Sequence, residues 1–138
     1  MKKSLLIAVT CLLLTTFINA QDANYKVVFD MTSPDSINQQ ALVRQISYIR
    51  ETNALAQLEV VIYGQGLGLI TKNGSSQESA VAKLLTDKGI SFKVCAASMK
   101  RANIDKSQLL PMVDVVPDGI YEIIVKQREG WGYIKVGH

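Results

Sequence analysis

Cys95 is the residue of this 138-residue sequence best placed to do chemistry. It ends the short run Ser91-Phe92-Lys93-Val94, which reads as a strand, and is followed by Ala96-Ala97-Ser98-Met99, a loop or helix start. A thiol at the junction of a strand and a helix gains from unpaired backbone N–H groups and from the positive end of the helix dipole. Both favour the thiolate, which is the nucleophilic form. Lys100 and Arg101 follow closely and add positive charge nearby. The competing reading is a buried small hydrophobe, which is how most free cysteines behave.

The other reactive residue types make weaker constellations. Gly64-Gln65-Gly66-Leu67-Gly68 suggests a nucleotide loop, but the third glycine of a dinucleotide fingerprint is replaced by Leu69, and no Gly-Lys-Ser/Thr follows. A tight turn that lets the backbone approach its neighbours explains these glycines better. His138 is the only histidine and the last residue, a poor mount for a base that must reach a sulfur. No cluster of metal ligands exists, so neither a metal nor another cofactor is expected. Asp114 and Asp118 read as strand-end and helix-cap residues, and Trp131 and Tyr133 as core or interface aromatics.

The elements that must position Cys95 alternate regularly. Tyr25–Asp30 is a strand-length β-branched and aromatic run. Ser33-Pro34 then signals a helix, with Pro34 suited to its first position, Leu42, Ile46 and Ile49 on one face, and Ile37, Ala41 and Val43 close to it. Arg44, Arg50 and Glu51 fall nearer solvent, and Asn53 ends the helix. Leu58–Tyr63 is a second strand whose unbroken apolar character implies burial on both faces. Ser75 and Glu78 have capping-box spacing before a helix with Ala80, Val81, Leu84 and Leu85 inward, and Lys88-Gly89 closes it with a left-handed cap. Lys100 to Leu110 reads as helical with a break at Asn103 and Asp105. Val113–Val116 is a fourth strand, Pro117-Asp118-Gly119 starts a helix ended by Gly130, and Trp131–Val136 is a fifth strand.

This alternation predicts an α/β fold, a mainly parallel five-stranded sheet in a three-layer α/β/α sandwich. Ligands in such sheets sit at the carboxyl ends of strands, where Asp30, Gly64, Cys95 and Pro117 all lie.

Residues 1–20 have the anatomy of a signal peptide: Met1-Lys2-Lys3, an apolar run, and Ile18-Asn19-Ala20 before a start at Gln21. The apolar run is shorter than the ~20 residues of a membrane span, so no stable membrane insertion is expected after processing. Cys11 leaves with it, and Cys95 then has no partner for an internal disulfide. Loss of Lys2 and Lys3 from 15 basic residues, set against 12 acidic ones, brings the chain near neutrality. With no basic run interleaved with aromatics, nucleic acid is not an expected partner. Residues 21–138 suit one domain in the periplasm or outside the cell.

Phe92-Lys93-Val94-Cys95, Ser98-Met99-Lys100, Leu109-Leu110, Val115 to Ile123, and Gln127 to Ile134, together with Val60-Val61-Ile62-Tyr63-Gly64 upstream, resemble the DsrE/DsrF-like family in order and spacing. The resemblance implies a homo-oligomer, trimer or hexamer, and a thiol at Cys95 that carries sulfane sulfur as a persulfide. The implied partner is a sulfur-containing small molecule or a partner-protein thiol. Gly64 and Gly66 would line the site, and the helix start at Ala97, Ser98 and Met99 would hold the anion. A noncatalytic binding or assembly module of the same fold, with a structural cysteine, is the alternative.

Overall fold

Five strands alternate with helices in the computed structural model, which describes residues 24–137. In chain order they are β1 (Lys26–Met31), α1 (Ser36–Thr52), β2 (Gln57–Ile62), α2 (Glu78–Leu84), β3 (Ile90–Cys95), α3 (Ala96–Arg101), β4 (Asp114–Val116), α4 (Gly119–Arg128) and β5 (Gly132–Val136). All strand pairs are parallel, in the order β4-β3-β2-β1-β5. The chain steps outward from β1 to β4, then crosses back to place β5 on the far side of β1. Right-handed crossovers in one direction put their helices on one face, and the reversed crossover puts α4 on the other. The expected three layers result.

The strands bury side chains on both faces, but unequally. Phe29 and Met31 of β1, Val60 and Ile62 of β2, and Phe92 and Val94 of β3 meet Leu42, Ile46 and Ile49 of α1 and Val81 of α2 in the main core. Fully burying each of the larger side chains is worth about 1.5–3 kcal/mol. The opposite face holds a much smaller cluster of Val28, Val61 and Ile123, with Tyr63 and Trp131 packed on it. Among the described residues α4 is the helix that covers that face, and polar side chains share it.

Several local expectations change. Asp35, after Pro34, is the N-cap of α1 and accepts from the Ile37 amide at 2.6 Å. Ser33 instead accepts from the Asp35 amide and the Asn38 side chain. A carboxylate at the cap satisfies an orphan N–H and opposes the positive helix end, so it fixes the start. Ile37, expected near the buried face, is 72% exposed. Ser75 and Glu78 form no reciprocal box: Ser75 accepts from the Gln77 amide, and Glu78 accepts from the Asn73 amide.

Gly89 is not a left-handed cap, because α2 ends several residues earlier. A Cβ there would lie 2.6 Å from the Arg50 guanidinium, so a side chain at this position would have to displace that head from its bonds. Arg50 itself lies inward. It makes a two-pronged bond to Asp87 at 2.8 and 2.9 Å and donates to the Ala54 and Ala56 carbonyls. The helix expected over 100–110 is shorter and begins at once after Cys95. It stops at Arg101, Asn103 turns left-handed, and a single 3-10 turn, Lys106–Gln108, follows under an Asp105 capping box.

The signal-peptide expectation for residues 1–20, the start at Gln21, Cys11 and His138 all lie outside the described residues. Among the described residues no helix is long and apolar enough to cross a membrane.

Candidate functional site

β3 delivers Cys95 to the N-cap position of α3, where it is 5% exposed. Burial alone pushes a thiol up. Here the amide N–H of Gly119, the amide and hydroxyl of Ser98 and the amide of Ala97 outweigh it, and the Cys95 thiol lies below its ordinary value. Two helix starts converge on the sulfur, α3 from its own strand and α4 from the other side.

Sequence explains why α4 contributes. Asp118 caps it and accepts from the Ile120 and Tyr121 amides, which leaves the Gly119 N–H to face Cys95. Gly119 is buried against Cys95: a Cβ there would lie 3.2 Å from the Cys95 Cβ, 3.2 Å from Val61 and 3.4 Å from the Tyr63 ring. Ser98 accepts from the Gly64 amide at 3.0 Å and from Arg101 at 3.4 Å, so its own proton can turn toward the sulfur. Lys100 is exposed.

The glycine loop is tied to the site through Gly64, whose φ of +60° favours glycine. Gly66 packs instead against the β1 end, where a Cβ would lie 2.6 Å from the Met31 carbonyl oxygen. Gly66 also opens a 3-10 helix, Gly66–Ile70, that feeds Leu67, Leu69 and Ile70 into the main core. Met99 belongs to that core as well. Ala97 is exposed at the start of α3. Of the expected set, Ala97, Ser98 and Gly64 thus gather at Cys95, whereas Gly66 and Met99 serve packing.

A polar band that sequence reasoning missed runs across the α4 face beside Cys95. Asp30, 4% exposed at the end of β1, accepts from the Tyr133 hydroxyl at 2.7 Å and from Lys135 Nζ at 3.2 Å, both on Oδ2. Lys135 also reaches the Thr32 hydroxyl. Buried Asp30 Oδ1 has no hydrogen-bond partner. Tyr63 directly follows β2, the strand that lies between those of Asp30 and Cys95. Burial, then the Asp30 carboxylate, and to a lesser degree Tyr133 and Cys95 push its phenol up to about 12. Tyr133 is pushed up to about 12 first by its hydrogen bond to Asp30. Period-two alternation puts residues 133 and 135 on one face of a strand, but it does not show that this strand lies beside β1.

A second polar cluster lies on the same face under α4. Glu59 accepts from Ser91 at 3.1 Å and lies 3.9 Å from Lys93, which is 3.7 Å from Glu122. Burial pushes Glu59 up to about 7, with Glu122 adding to the rise and Lys126 and Lys93 opposing it. Lys126 lies over the Trp131 ring.

Similarity to known proteins follows the whole of this architecture. A protein of unknown function, MTH1491 from Methanobacterium thermoautotrophicum, superposes with a TM-score of 0.76 and 28% identity, covering 81% of this chain and 99% of that one. A conserved protein of unknown function, BT1422 from Bacteroides thetaiotaomicron, shares the fold at 14% identity and a TM-score of 0.66, covering 86% of this chain and 100% of its own. No curated protein matches the sequence. The family model described as the DsrE/DsrF-like family matches residues 26–136, from the first residue of β1 to the last of β5. The chain belongs to the DsrE/DsrF-like family.

Proposed function

We propose that this protein is a thiol-based sulfur carrier, or sulfurtransferase-like protein, that accepts sulfane sulfur on Cys95. Family membership suggests a sulfur-relay type role. The observation that carries the finer reading is the set of donors around Cys95, which favours its anion despite burial. With thiosulfate as donor, the Cys95 thiolate attacks the outer sulfur, an S–S bond forms to Cys95, and sulfite leaves with the electron pair of the broken bond. A thiol acceptor R–SH then attacks the bound sulfur and leaves as R–S–SH, and the Cys95 thiolate returns. No net oxidation of the protein occurs. Incubation with polysulfide should add about 32 Da, one sulfur atom, to the wild type and nothing to Cys95→Ser.

Export completes the proposal: cleavage after Ala20 and a mature protein starting at Gln21, periplasmic or secreted, which intact-mass analysis of exported material tests. Assembly into a trimer or hexamer is supported by exposed Ile120, Tyr121 and Ile124 on α4 and by Met112 and Val115 near β4. A single-chain mass by light scattering at micromolar concentration would argue against it.

The low exposure of Cys95 favours a second reading, a noncatalytic binding or assembly module with a structural cysteine. Resistance of the folded protein to both alkylation and sulfur loading would establish that reading in place of the first.

A further inference from the structure

Three observations outside the sulfur's own hydrogen-bond donors converge on Tyr63. First, Tyr63 follows β2 at the level of Cys95: Ile62 pairs with Val94, so the next residues on the two strands stand side by side. Both face α4, and Gly119 packs against the Cys95 Cβ and the Tyr63 ring together. Second, Asp30 stands one strand over, paired with Val61 two positions before Tyr63 and so on the same face, a buried carboxylate with one oxygen partnered and the other without a hydrogen bond, close enough to raise the Tyr63 phenol. Third, Asp30 is fixed from outside by Tyr133 and Lys135, so its charge is held in one place while Tyr63 remains half-buried at the edge of the site. An unpartnered buried carboxylate oxygen is costly to the fold. A neutral phenol held beside a carboxylate can give up its proton and take another without ever resting as phenolate.

We propose that Tyr63 is a further catalytic residue of this site, the proton shuttle of the sulfur-transfer step, and that Asp30 is the positioning residue that orients its hydroxyl. The proposal rests on the sulfur-carrier reading. In the step, the acceptor thiol R–SH attacks the outer sulfur of the Cys95 persulfide anion. The Tyr63 O–H proton passes to that sulfur as its bond to Cys95 breaks, and the Tyr63 oxygen takes the proton of the acceptor thiol. A new S–S bond joins the acceptor sulfur to the transferred sulfur, which leaves as R–S–SH, the electron pair of the broken S–S bond returns to Cys95 as thiolate, and the phenol is regenerated. Loading from thiosulfate moves no proton and does not need Tyr63.

The test compares loading and unloading in wild type, Tyr63→Phe and Asp30→Asn. Each protein is loaded with thiosulfate, and transfer to added 2-mercaptoethanol is timed by intact mass. Tyr63→Phe should load at the wild-type rate and transfer about a hundredfold more slowly, the range of general acid–base catalysis. Asp30→Asn should transfer about tenfold more slowly, and the ring carbon beside the Tyr63 hydroxyl, followed by carbon NMR, should titrate at lower pH than in wild type. Equal loading, together with an unchanged circular dichroism spectrum and thermal midpoint, shows that each variant has folded. If Tyr63→Phe loads and transfers like wild type, the shuttle is wrong and the carrier reading stands. If Asp30→Asn leaves the Tyr63 titration unmoved, the positioning role is wrong. If wild type itself takes up no sulfur, the carrier reading fails and the shuttle fails with it.

Discussion

Gly119 and Cys95 meet so closely that a methyl group on Gly119 would lie 3.2 Å from the Cys95 Cβ. The contact joins the start of α4 to the end of β3 and aims the Gly119 N–H at the sulfur. Gly119→Ala should therefore push the two elements apart by a few tenths of an ångström. The cost should be about 1–3 kcal/mol of stability, the range for overpacking a buried site. With that donor displaced the Cys95 thiol should titrate at higher pH, so less thiolate is present at neutrality. The rate of iodoacetamide alkylation against pH measures this, and an unchanged midpoint would show that the α4 N–H does not set the thiol.

Ser98→Ala removes a hydroxyl that serves Cys95, the Gly64 amide and Arg101 at once. Its loss leaves the Gly64 N–H without its acceptor, at about 1–2 kcal/mol, and raises the Cys95 thiol in the same direction as Gly119→Ala. Urea denaturation and the same alkylation profile check the two effects separately.

Arg50 should behave as a structural residue. Its guanidinium holds Asp87 and two carbonyls and covers the Gly89 backbone, and Asp87 sits below its ordinary value through that bond. Arg50→Ala should cost about 2–4 kcal/mol, and Arg50→Lys should recover little, because an ammonium cannot make the paired bond. Because the Asp87 pKa is depressed on folding, its contribution is present above its unfolded value of 3.8 and is lost as pH falls below it. The stability gap between wild type and Arg50→Ala should narrow in acid. A gap that stays constant down to pH 3 would count against this account.

Glu59 gives the opposite pH dependence. Its folded value of about 7 is above 4.5, so the folded protein binds this proton more tightly than the unfolded chain. Its effect on stability becomes steadily less favourable as pH rises from about 4.5 to 7 and is constant above that. Charging the buried carboxylate should cost roughly 1–3 kcal/mol, and Glu59→Gln, which keeps an acceptor for Ser91, should lose that dependence. Denaturation midpoints at pH 5 and pH 8 for both proteins provide the check. Parallel changes in the two would place the titrating group elsewhere.

The fold was legible because each strand is followed by a segment able to form a crossover, which leaves few arrangements besides a parallel sheet. The position of β5 was not, since nothing local in Gly132–Val136 chooses between the two edges of the sheet. That choice decides much of the site. Asp30 could be placed at a strand end from sequence, but its contacts with Tyr133 and Lys135 span 103 and 105 residues and exist only because β5 pairs with β1. Cys95, Ala97 and Ser98 were readable because one strand-to-helix junction supplies all three. Gly119 was read as a helix start, and only the reversed crossover shows that its helix points at the sulfur. Glu59 lay hidden in an apolar run that correctly signalled burial. Its carboxyl group meets Ser91 and Lys93 on the neighbouring strand, which only partly offset the cost of burying it.

The most direct measurement of the central claim follows one labelled sulfur atom. Thiosulfate carrying a heavy isotope in its outer sulfur is incubated with the purified protein, excess donor is removed, and a thiol acceptor is added. The sulfur-carrier account predicts one labelled sulfur on the peptide containing Cys95, its appearance on the acceptor as that peptide returns to its original mass, and no label on Cys95→Ser. Label that never reaches the folded wild-type protein, or that reaches Cys95→Ser equally well, would contradict it.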